Sequence, residues 1–489
     1  MLRTITLALL TGLMLSAGFF VDNAQATEIS SADTELASGR KALLDDDPTA
    51  ALRHYQMALS LVPEQDRATR RAALLGVGRA AFWLEQYPLA EQAYRQALAL
   101  TDTTDDHTAI SLKLARSLTL IDRPREAYTL AASAPPASFE AAVEKARAAL
   151  LLGWETRAAE ALSGHAVSNI PSSDSDWLSK EYRQQQEELD DRLRRSINVE
   201  LGYTDSNDDE RTRELDITAN FQTLHLPGTA PGMISAFWGI GVNQQWIDDK
   251  QSSVQTTELS GSMATNLSDN IKLNARLGVG QQSEWQYGVG TLGVSYRPND
   301  TWGTEAGLES GAVKTTLALK EHTTYDALSV GADHRFGNSF ILAGALFQQG
   351  FSDGNDRNGI IVRANMMPLA LPAIDTTLDI QLYERRYHDS DTNTQGYFNP
   401  EDFHEEQMRF YFTRRVSTDW KARVMLAPGR QTVDGDSSGT LFGELLLRGK
   451  ISRDLLCQVK AGVDSTDAVS STADSYREKY VYASVAIPW

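Results

Sequence analysis

The 489-residue sequence has one cysteine, Cys457, and only eight histidines. A single cysteine cannot form an internal disulfide, so the fold depends on packing and not on a disulfide framework. The histidines are scattered singly, without the spacing of metal ligands, and we expect neither a metal nor another cofactor. The formal net charge of −19 disfavours nucleic acid as a partner, because its phosphate backbone is also negative.

Long hydrophobic runs are missing beyond the N-terminal segment. Residues 1–26 combine Arg3, an apolar stretch over 5–21 and the small residues Ala24 and Ala26, which is the pattern of a secretory signal peptide. After this segment, no apolar run reaches the roughly 18 residues that a membrane-spanning helix needs. We therefore expect an exported protein whose mature chain has no spanning helix.

The sequence also has no constellation typical of a catalytic centre. Its densest carboxylate group is Glu401, Asp402, Glu405 and Glu406. A glycosidase needs two carboxylates held across a cleft, whereas a run of acidic residues in a loop is usually a solvated surface. We predict that the protein is not an enzyme.

Residues 27–165 are rich in alanine, leucine, arginine and glutamate, which favour helices, and they contain two matching repeats. The repeats begin at Gly39 and Gly78 and share alanine, tyrosine and alanine at offsets of 12, 16 and 19 residues. The positions predicted to pack between paired helices are Gly39, Ala51, Tyr55, Ala58, Gly78, Ala90, Tyr94 and Ala97. This spacing resembles the tetratricopeptide repeat, and the resemblance implies an α-helical solenoid. Residues 166–195 are predicted to form a polar linker and one more helix.

From Ser196 onward the hydrophobic period changes from near 3.6 to 2, as in strands with one apolar face. The predicted strands are long, their second face carries full charges, and tight turns alternate with longer polar connections. These features are typical of a transmembrane β-barrel. We predict a C-terminal antiparallel outer-membrane β-barrel of about 16 strands over residues 196–489. Its terminal Trp489 resembles the C-terminal signal read by the barrel assembly machinery.

Strand phase assigns a set of side chains to the barrel lumen. We predict that they form a substrate path: Lys272, Arg276, Arg363, Tyr383, Arg385, Tyr387, Arg409, Tyr411 and Arg423. Fewer acids have the inward phase, namely Glu200, Asp216, Asp379 and Glu444, so the wall is expected to be mixed to basic. On this basis an anionic or a neutral polymer is as plausible as a cationic one.

The order of signal peptide, helical repeats and barrel resembles that of exopolysaccharide export porins of the cellulose and poly-N-acetylglucosamine type. The segment GYFNPEDF, residues 396–403, resembles an element that opens a late strand in that family. The resemblance implies a barrel embedded in outer-membrane lipid and a periplasmic N-terminal domain. It further implies that the repeats guide an exopolysaccharide or dock periplasmic or inner-membrane synthesis and export proteins.

Two other interpretations remain open. Surface lipoprotein assembly modifiers combine the same parts, which makes a lipoprotein translocation device the alternative. A nonspecific porin or a phage receptor accounts for the barrel but gives the helical repeats no role. A wide open channel would leak, so we expect a plug or a partner. The connections at residues 389–402 and 319–327 are candidates for folding inward.

Overall fold

The computed structural model describes residues 31–489 except 102, 166–174, 208–211, 226–235, 367, 394–395, 453–454 and 467–475. The predicted signal peptide and most of the predicted linker lie outside the described residues. The chain divides into two compact units, one ending at Thr101 and one from Asp102 to Trp489, and each is described by itself. In the described part of the chain, no helix has both the length and the apolar character needed to cross a membrane.

The described residues before Ser196 form nine α-helices, whose starts follow from local capping. Asp47 and Asp66 each accept a backbone N–H in the first turn that follows them, and Pro48 and Pro124 occupy first-turn positions that need no donor. The helices are α1 (Ala32–Leu44), α2 (Pro48–Leu61), α3 (Arg67–Trp83), α4 (Tyr87–Leu98), α5 (Thr104–Leu120), α6 (Pro124–Ala132), α7 (Phe139–Leu152), α8 (Glu155–Ser163) and α9 (Ser175–Leu193).

Two tyrosines occupy gaps left by glycines in the first unit. A Cβ atom at Gly39 or Gly76 would lie 2.9 or 2.2 Å from the ring of Tyr55. A Cβ at Gly78 would lie 2.6 Å from the ring of Tyr94. The four repeat alanines, Ala51, Ala58, Ala90 and Ala97, are completely buried. Small residues thus allow the helices to approach closely around each aromatic ring.

Gly76→Ala is expected to lower the free energy of unfolding of the first unit by about 1–3 kcal/mol. The added methyl group would overlap the ring of Tyr55, and this cost exceeds the helix-propensity gain of about 1 kcal/mol. Urea unfolding of the full chain, followed by its helical circular dichroism, measures the change. Gly164→Ala is the matched control, because nothing lies within 4 Å of the Cβ position there. Equal midpoints for the two variants would contradict this packing.

The second unit contains a closed barrel of sixteen long antiparallel strands, and the predicted fold class is confirmed. Each strand pairs with its neighbours in sequence, and β1 also pairs with β16. The strands are β1 (Ser196–Ser206), β2 (Arg213–His225), β3 (Ala236–Asp248), β4 (Ser253–Asn266), β5 (Ile271–Gln282), β6 (Trp285–Tyr296), β7 (Trp302–Ala312), β8 (Thr324–Phe336), β9 (Phe340–Phe351), β10 (Asp356–Met366), β11 (Thr376–Asp389), β12 (Asp402–Arg415), β13 (Trp420–Val433), β14 (Asp436–Lys450), β15 (Leu456–Thr466) and β16 (Tyr476–Pro488).

Two smaller elements complete the barrel. The short strand Leu369–Leu371 follows β10 in the chain and pairs with the start of β11. A short helix, α10 (Thr316–Lys320), lies in the connection between β7 and β8. We call the end of the barrel where β1 begins and β16 ends the proximal rim, and the opposite end the distal rim.

Strand register separates a lipid-compatible outer face from a polar inner face. Directly paired residues share a face, as Leu277 does with Gly290 and Lys272 with Ser295. Large outward side chains are strongly exposed, with Leu277 at 74% and Leu346 at 63%. Cys457 pairs with Val485 on the outer face, so it stands among apolar neighbours. A closed barrel leaves no unpaired strand edge for hydrocarbon to meet.

Candidate functional site in the barrel lumen

The register places all nine predicted path residues on the inner face of the barrel. Arg363 pairs with Tyr383, Arg385 pairs with Glu405, and Lys272 and Arg276 alternate along β5. Tyr387, Arg409, Tyr411 and Arg423 have the same inward phase on β11, β12 and β13. The structure brings seven of the nine together on adjacent strands β10–β13, whereas Lys272 and Arg276 belong to the opposite wall.

Charge is segregated across the lumen, which differs from the predicted mixed-to-basic wall. Basic residues predominate at the inward positions of β10–β15, and they are Arg357, Arg363, Arg385, Arg409, Arg415, Lys421, Arg423, Arg448, Lys450 and Lys460. The inward acids of the same strands are fewer, namely Asp379, Asp389, Glu405, Glu444 and Asp464. Acidic residues predominate on β1–β9: Glu200, Glu214, Asp216, Glu258, Glu305, Glu309 and Asp333, against Lys272, Arg276 and Arg335. Several of these acids lie in strands for which no inward residue was predicted from the sequence, and their position in the lumen was therefore not predicted.

On the basic wall, arginines and tyrosines alternate from the distal rim towards the proximal rim. The guanidinium carbon of Arg357 lies 4.5 Å from the ring centre of Tyr387, and that of Arg409 lies 3.7 Å from the ring centre of Tyr383. A third pair lies nearer the proximal rim, where the guanidinium carbon of Arg423 is 5.4 Å from the ring centre of Tyr411. Cation–π contacts of this kind orient a guanidinium group. We call this row of stacked pairs the arginine–tyrosine ladder.

The ladder contains paired and unmatched cations. Arg385 lies 3.3 Å from Glu405, and Arg423 lies 3.9 Å from Glu444, so these two charges are partly neutralised. Arg409 instead donates to the amide oxygens of Gln407 and Gln381, at 2.8 and 3.2 Å. Within the described chain, no carboxylate pairs with Arg409 or with the exposed Arg363. The middle of the ladder therefore carries uncompensated positive charge.

At the distal rim, the β7–β8 connection folds against inward-facing side chains. Leu319 of α10 is completely buried against Ile247, Val254 and Tyr287, which occupy inward positions on β3, β4 and β6. Burying this leucine offsets the entropy cost of ordering the connection. Residues 313–323, which we call the distal lid, therefore lie within the mouth of the lumen.

Polar contacts attach the distal lid to the wall and to the β11–β12 connection. Lys314 reaches both Glu258 and the hydroxyl of Tyr287, the latter at 2.6 Å. Thr316 donates to Asp249 at the β3–β4 turn, and Thr315 donates to the carbonyl of Gly396. Burial alone would raise the pKa of Asp249, but hydrogen bonds from Thr316 and the neighbouring turn hold it below its ordinary value. The lid is thus fixed at three places.

The GYFNPEDF segment packs over the same mouth. Tyr397 stacks on Phe351 with ring centres 4.5 Å apart, and its hydroxyl donates to Asp353 at 2.9 Å. Phe403 stacks on Tyr387, the distal tyrosine of the ladder, at 4.6 Å. Gly396 has φ of +98°, and a Cβ there would lie 2.9 Å from the backbone of the lid. Of the two connections predicted to fold inward, residues 389–402 thus contact the distal lid at Gly396. The lid residues at this contact, Thr315, Leu317 and Ala318, precede the predicted segment 319–327.

At the proximal rim, helices of the second unit bind the turns of the barrel. The carboxylate of Asp300, in the β6–β7 turn, accepts the backbone N–H groups of Arg125 and Glu126 at 3.1 and 2.9 Å. A barrel residue thus satisfies amides in the first turn of α6. Burial nevertheless raises the pKa of Asp300, and it lowers the pKa of Arg125.

Further contacts anchor the helices around this rim. Arg335 at the end of β8 is buried and donates to the carbonyl groups of Ile121 and Asp122, at 3.2 and 3.1 Å. Asn266 donates to the carbonyl of Gly153 at 2.6 Å, and Lys450 pairs with Asp191 at 2.7 Å. The contacts involve strands on opposite sides of the barrel, so several turns of the rim hold the helices.

A cavity of about 490 Å³ opens between the helices and the barrel wall. Arg125 and Trp154 line it from the helices, and Lys272, Asp300 and Asn365 line it from the barrel. Since Lys272 and Asn365 face the lumen, this cavity is bounded by the helices on one side and by the inner wall of the barrel on the other. The roles of Asp300 and Arg335 could not be predicted from the sequence, because a residue in a turn or at a strand end gives no sign of a partner more than 170 positions away.

No protein-family model and no curated protein matches the chain. Among solved structures, it is similar to a bacterial polysaccharide outer membrane secretin, with 13% identity and a TM-score of 0.50 over 61% of this chain and 99% of that chain. OccK7 (OpdD) of Pseudomonas aeruginosa matches with 11% identity and a TM-score of 0.35, over 60% of this chain and 99% of that one. CdiB of Acinetobacter baumannii matches with 12% identity and a TM-score of 0.39, over 59% and 60%. The likeness to the secretin, over 61% of this chain, shows the fold of an outer-membrane β-barrel.

Proposed function

We propose that the protein is an outer-membrane export pore for an exopolysaccharide and that its periplasmic helices deliver the polymer to the lumen. The observation that carries the proposal is the cavity at the proximal rim, which joins the surface of α6–α8 to inward residues of the barrel. A chain passing through this cavity would meet the charged groups of Arg125, Lys272 and Asp300 and the apolar side chains of Leu151 and Trp154. A nonspecific porin needs no such helical entrance.

The barrel supports the proposal through its size and lining. Barrels of about sixteen strands enclose an aqueous channel when nothing plugs them. Charged, amide and hydroxyl side chains can replace water around a sugar polymer, and they line the inner face along its length. The fold is also shared with a protein described as a polysaccharide secretin, although at 13% identity this likeness concerns the fold.

The same arrangement sets the orientation that we propose. Both ends of the barrel sequence lie at the proximal rim, where α5–α9 are attached, so the helices and this rim face the periplasm. The distal lid then faces the cell exterior. The first unit, which precedes these helices, is proposed to guide the polymer or to bind synthesis and export proteins.

A deletion strain assayed for carbohydrate on the cell surface and in the periplasm tests the proposal. Loss of surface polymer with accumulation in the periplasm is expected, and the full chain should restore export whereas residues 196–489 alone should not. Unchanged carbohydrate together with loss of a surface lipoprotein would overturn the proposal in favour of lipoprotein translocation.

A further inference from the structure

We propose that the exported polymer is acidic, carrying carboxylate or other anionic groups, and that Arg363 and Arg409 determine this preference. This inference rests on the proposed export function and specifies its substrate class. The ladder supplies the binding groups, and a passing polymer can bind only those lumen charges that are not already paired with other protein groups.

At least four of the seven acids on the opposite wall, namely Asp216, Glu258, Glu309 and Asp333, already contact other protein groups. Asp216 accepts hydrogen bonds from Asn243 and Thr218, at 2.8 and 3.0 Å. Glu309 accepts from the hydroxyl of Tyr325, at 2.5 Å. The remaining pairs join Glu258 with Lys314 and Arg276, and Asp333 with Arg297. A polycation would have to displace these partners before it could use four of the seven acids, so the acidic wall offers a polycation fewer binding groups than its number of carboxylates suggests.

The middle of the basic wall has the opposite character. Arg409 contacts two glutamine oxygens and the ring of Tyr383, and all of these partners are neutral. Arg363 is exposed and approaches the same ring, with its guanidinium carbon 5.8 Å from the ring centre. Neither arginine must break an ion pair with a described residue before it binds an anion.

The tyrosine gives these arginines a fixed position. Tyr383 is only 8% exposed, so its ring serves as a support that the guanidinium groups cover, and a sugar would meet the guanidinium groups first. Holding a guanidinium in place lowers the entropy lost when it binds a carboxylate with two parallel hydrogen bonds. Each arginine would contact a single sugar unit, so the polymer could bind along the ladder and still slide through the lumen.

Calorimetric titration of the full chain in detergent micelles with three oligosaccharides tests the inference. The probes are hexagalacturonate, its fully methyl-esterified form and a hexamer of glucosamine, which are anionic, neutral and cationic. We expect hexagalacturonate to bind about tenfold or more tightly than either of the others, and added salt to weaken this binding. The double variant Arg363→Gln/Arg409→Gln should weaken hexagalacturonate binding about tenfold.

Arg386→Gln is the matched control, because Arg386 lies on the outer face of β11 next to the inward Arg385 and should leave binding unchanged. Arg363→Lys/Arg409→Lys keeps the charge but loses the two parallel hydrogen bonds, so its affinity should lie between those of the unmodified protein and the glutamine variant, and binding by this variant shows that the barrel has folded. Equal or tighter binding of the ester or of the glucosamine hexamer would overturn the acidic-polymer inference and leave polysaccharide export in place. Absence of binding by all three probes would count against both proposals.

Discussion

Leu319→Asp is expected to raise the single-channel conductance of the purified barrel several-fold. Leu319 is completely buried against Ile247, Val254 and Tyr287, and it secures the distal lid inside the mouth. A carboxylate at this position would lose its hydration without gaining a partner, a cost of several kcal/mol. The lid would therefore leave the wall, and the ion path would widen.

Lys320→Asp is the control for this experiment, because the neighbouring Lys320 is exposed and its replacement introduces the same carboxylate. Its conductance should remain at the level of the unmodified protein. Recordings in planar bilayers compare the three proteins under one salt condition. Equal conductance of Leu319→Asp and Lys320→Asp would show that the lid does not limit the channel.

Arg147→Met is expected to destabilise the helices of the second unit by about 3–5 kcal/mol. The side chain of Glu144 is 1% exposed, and Arg147 donates to both of its carboxylate oxygens at 2.8 and 2.7 Å. Arg147 also contacts Glu181 of α9, which receives Arg116 of α5 at 3.1 Å. Burial raises the pKa of Glu144, and the methionine variant would leave that carboxyl without its cation.

Urea unfolding of the full chain, followed by helical circular dichroism, measures this loss. The double variant Glu144→Gln/Arg147→Met removes both charges and should recover most of the stability, since the unpaired buried charge is the main cost. Arg183→Met changes an exposed arginine of α9 and should shift stability by no more than about 0.5 kcal/mol. If Arg147→Met behaved like Arg183→Met, the buried pair would not hold these helices together.

The barrel was predictable because a period of two fixes both the element and its faces. The inward phase of Arg363, Tyr383 and Arg409 follows from alternation alone, and the register agrees with it. The confirmed strand number follows from the recurrence of such segments. In the helical part, Gly39 and Tyr55 belong to one repeat, so their spacing predicts that they pack together. Gly76 lies in the next helix, and its contact with Tyr55 was not predicted.

The remaining features depend on residues that are distant in sequence. Asp300 accepts hydrogen bonds from two amides of α6 that lie 175 and 174 residues away in the chain, and no local sequence pattern predicts these contacts. The distal lid likewise depends on Lys314 meeting Glu258 across several strands. Charge segregation was missed for a related reason, because strands without an assigned phase hid acids such as Glu305 and Glu309.

Photo-crosslinking inside the barrel of polymer-producing cells tests whether a polysaccharide passes through the lumen. Tyr411 faces the lumen and its neighbour Phe410 faces outward, and both are half-buried aromatic residues, so the two positions form a matched pair. Each is replaced by p-benzoylphenylalanine, and the irradiated protein is analysed for attached carbohydrate and attached protein. We expect carbohydrate at position 411 and none at position 410, and a lipoprotein attached at position 411 in place of carbohydrate would contradict polysaccharide export.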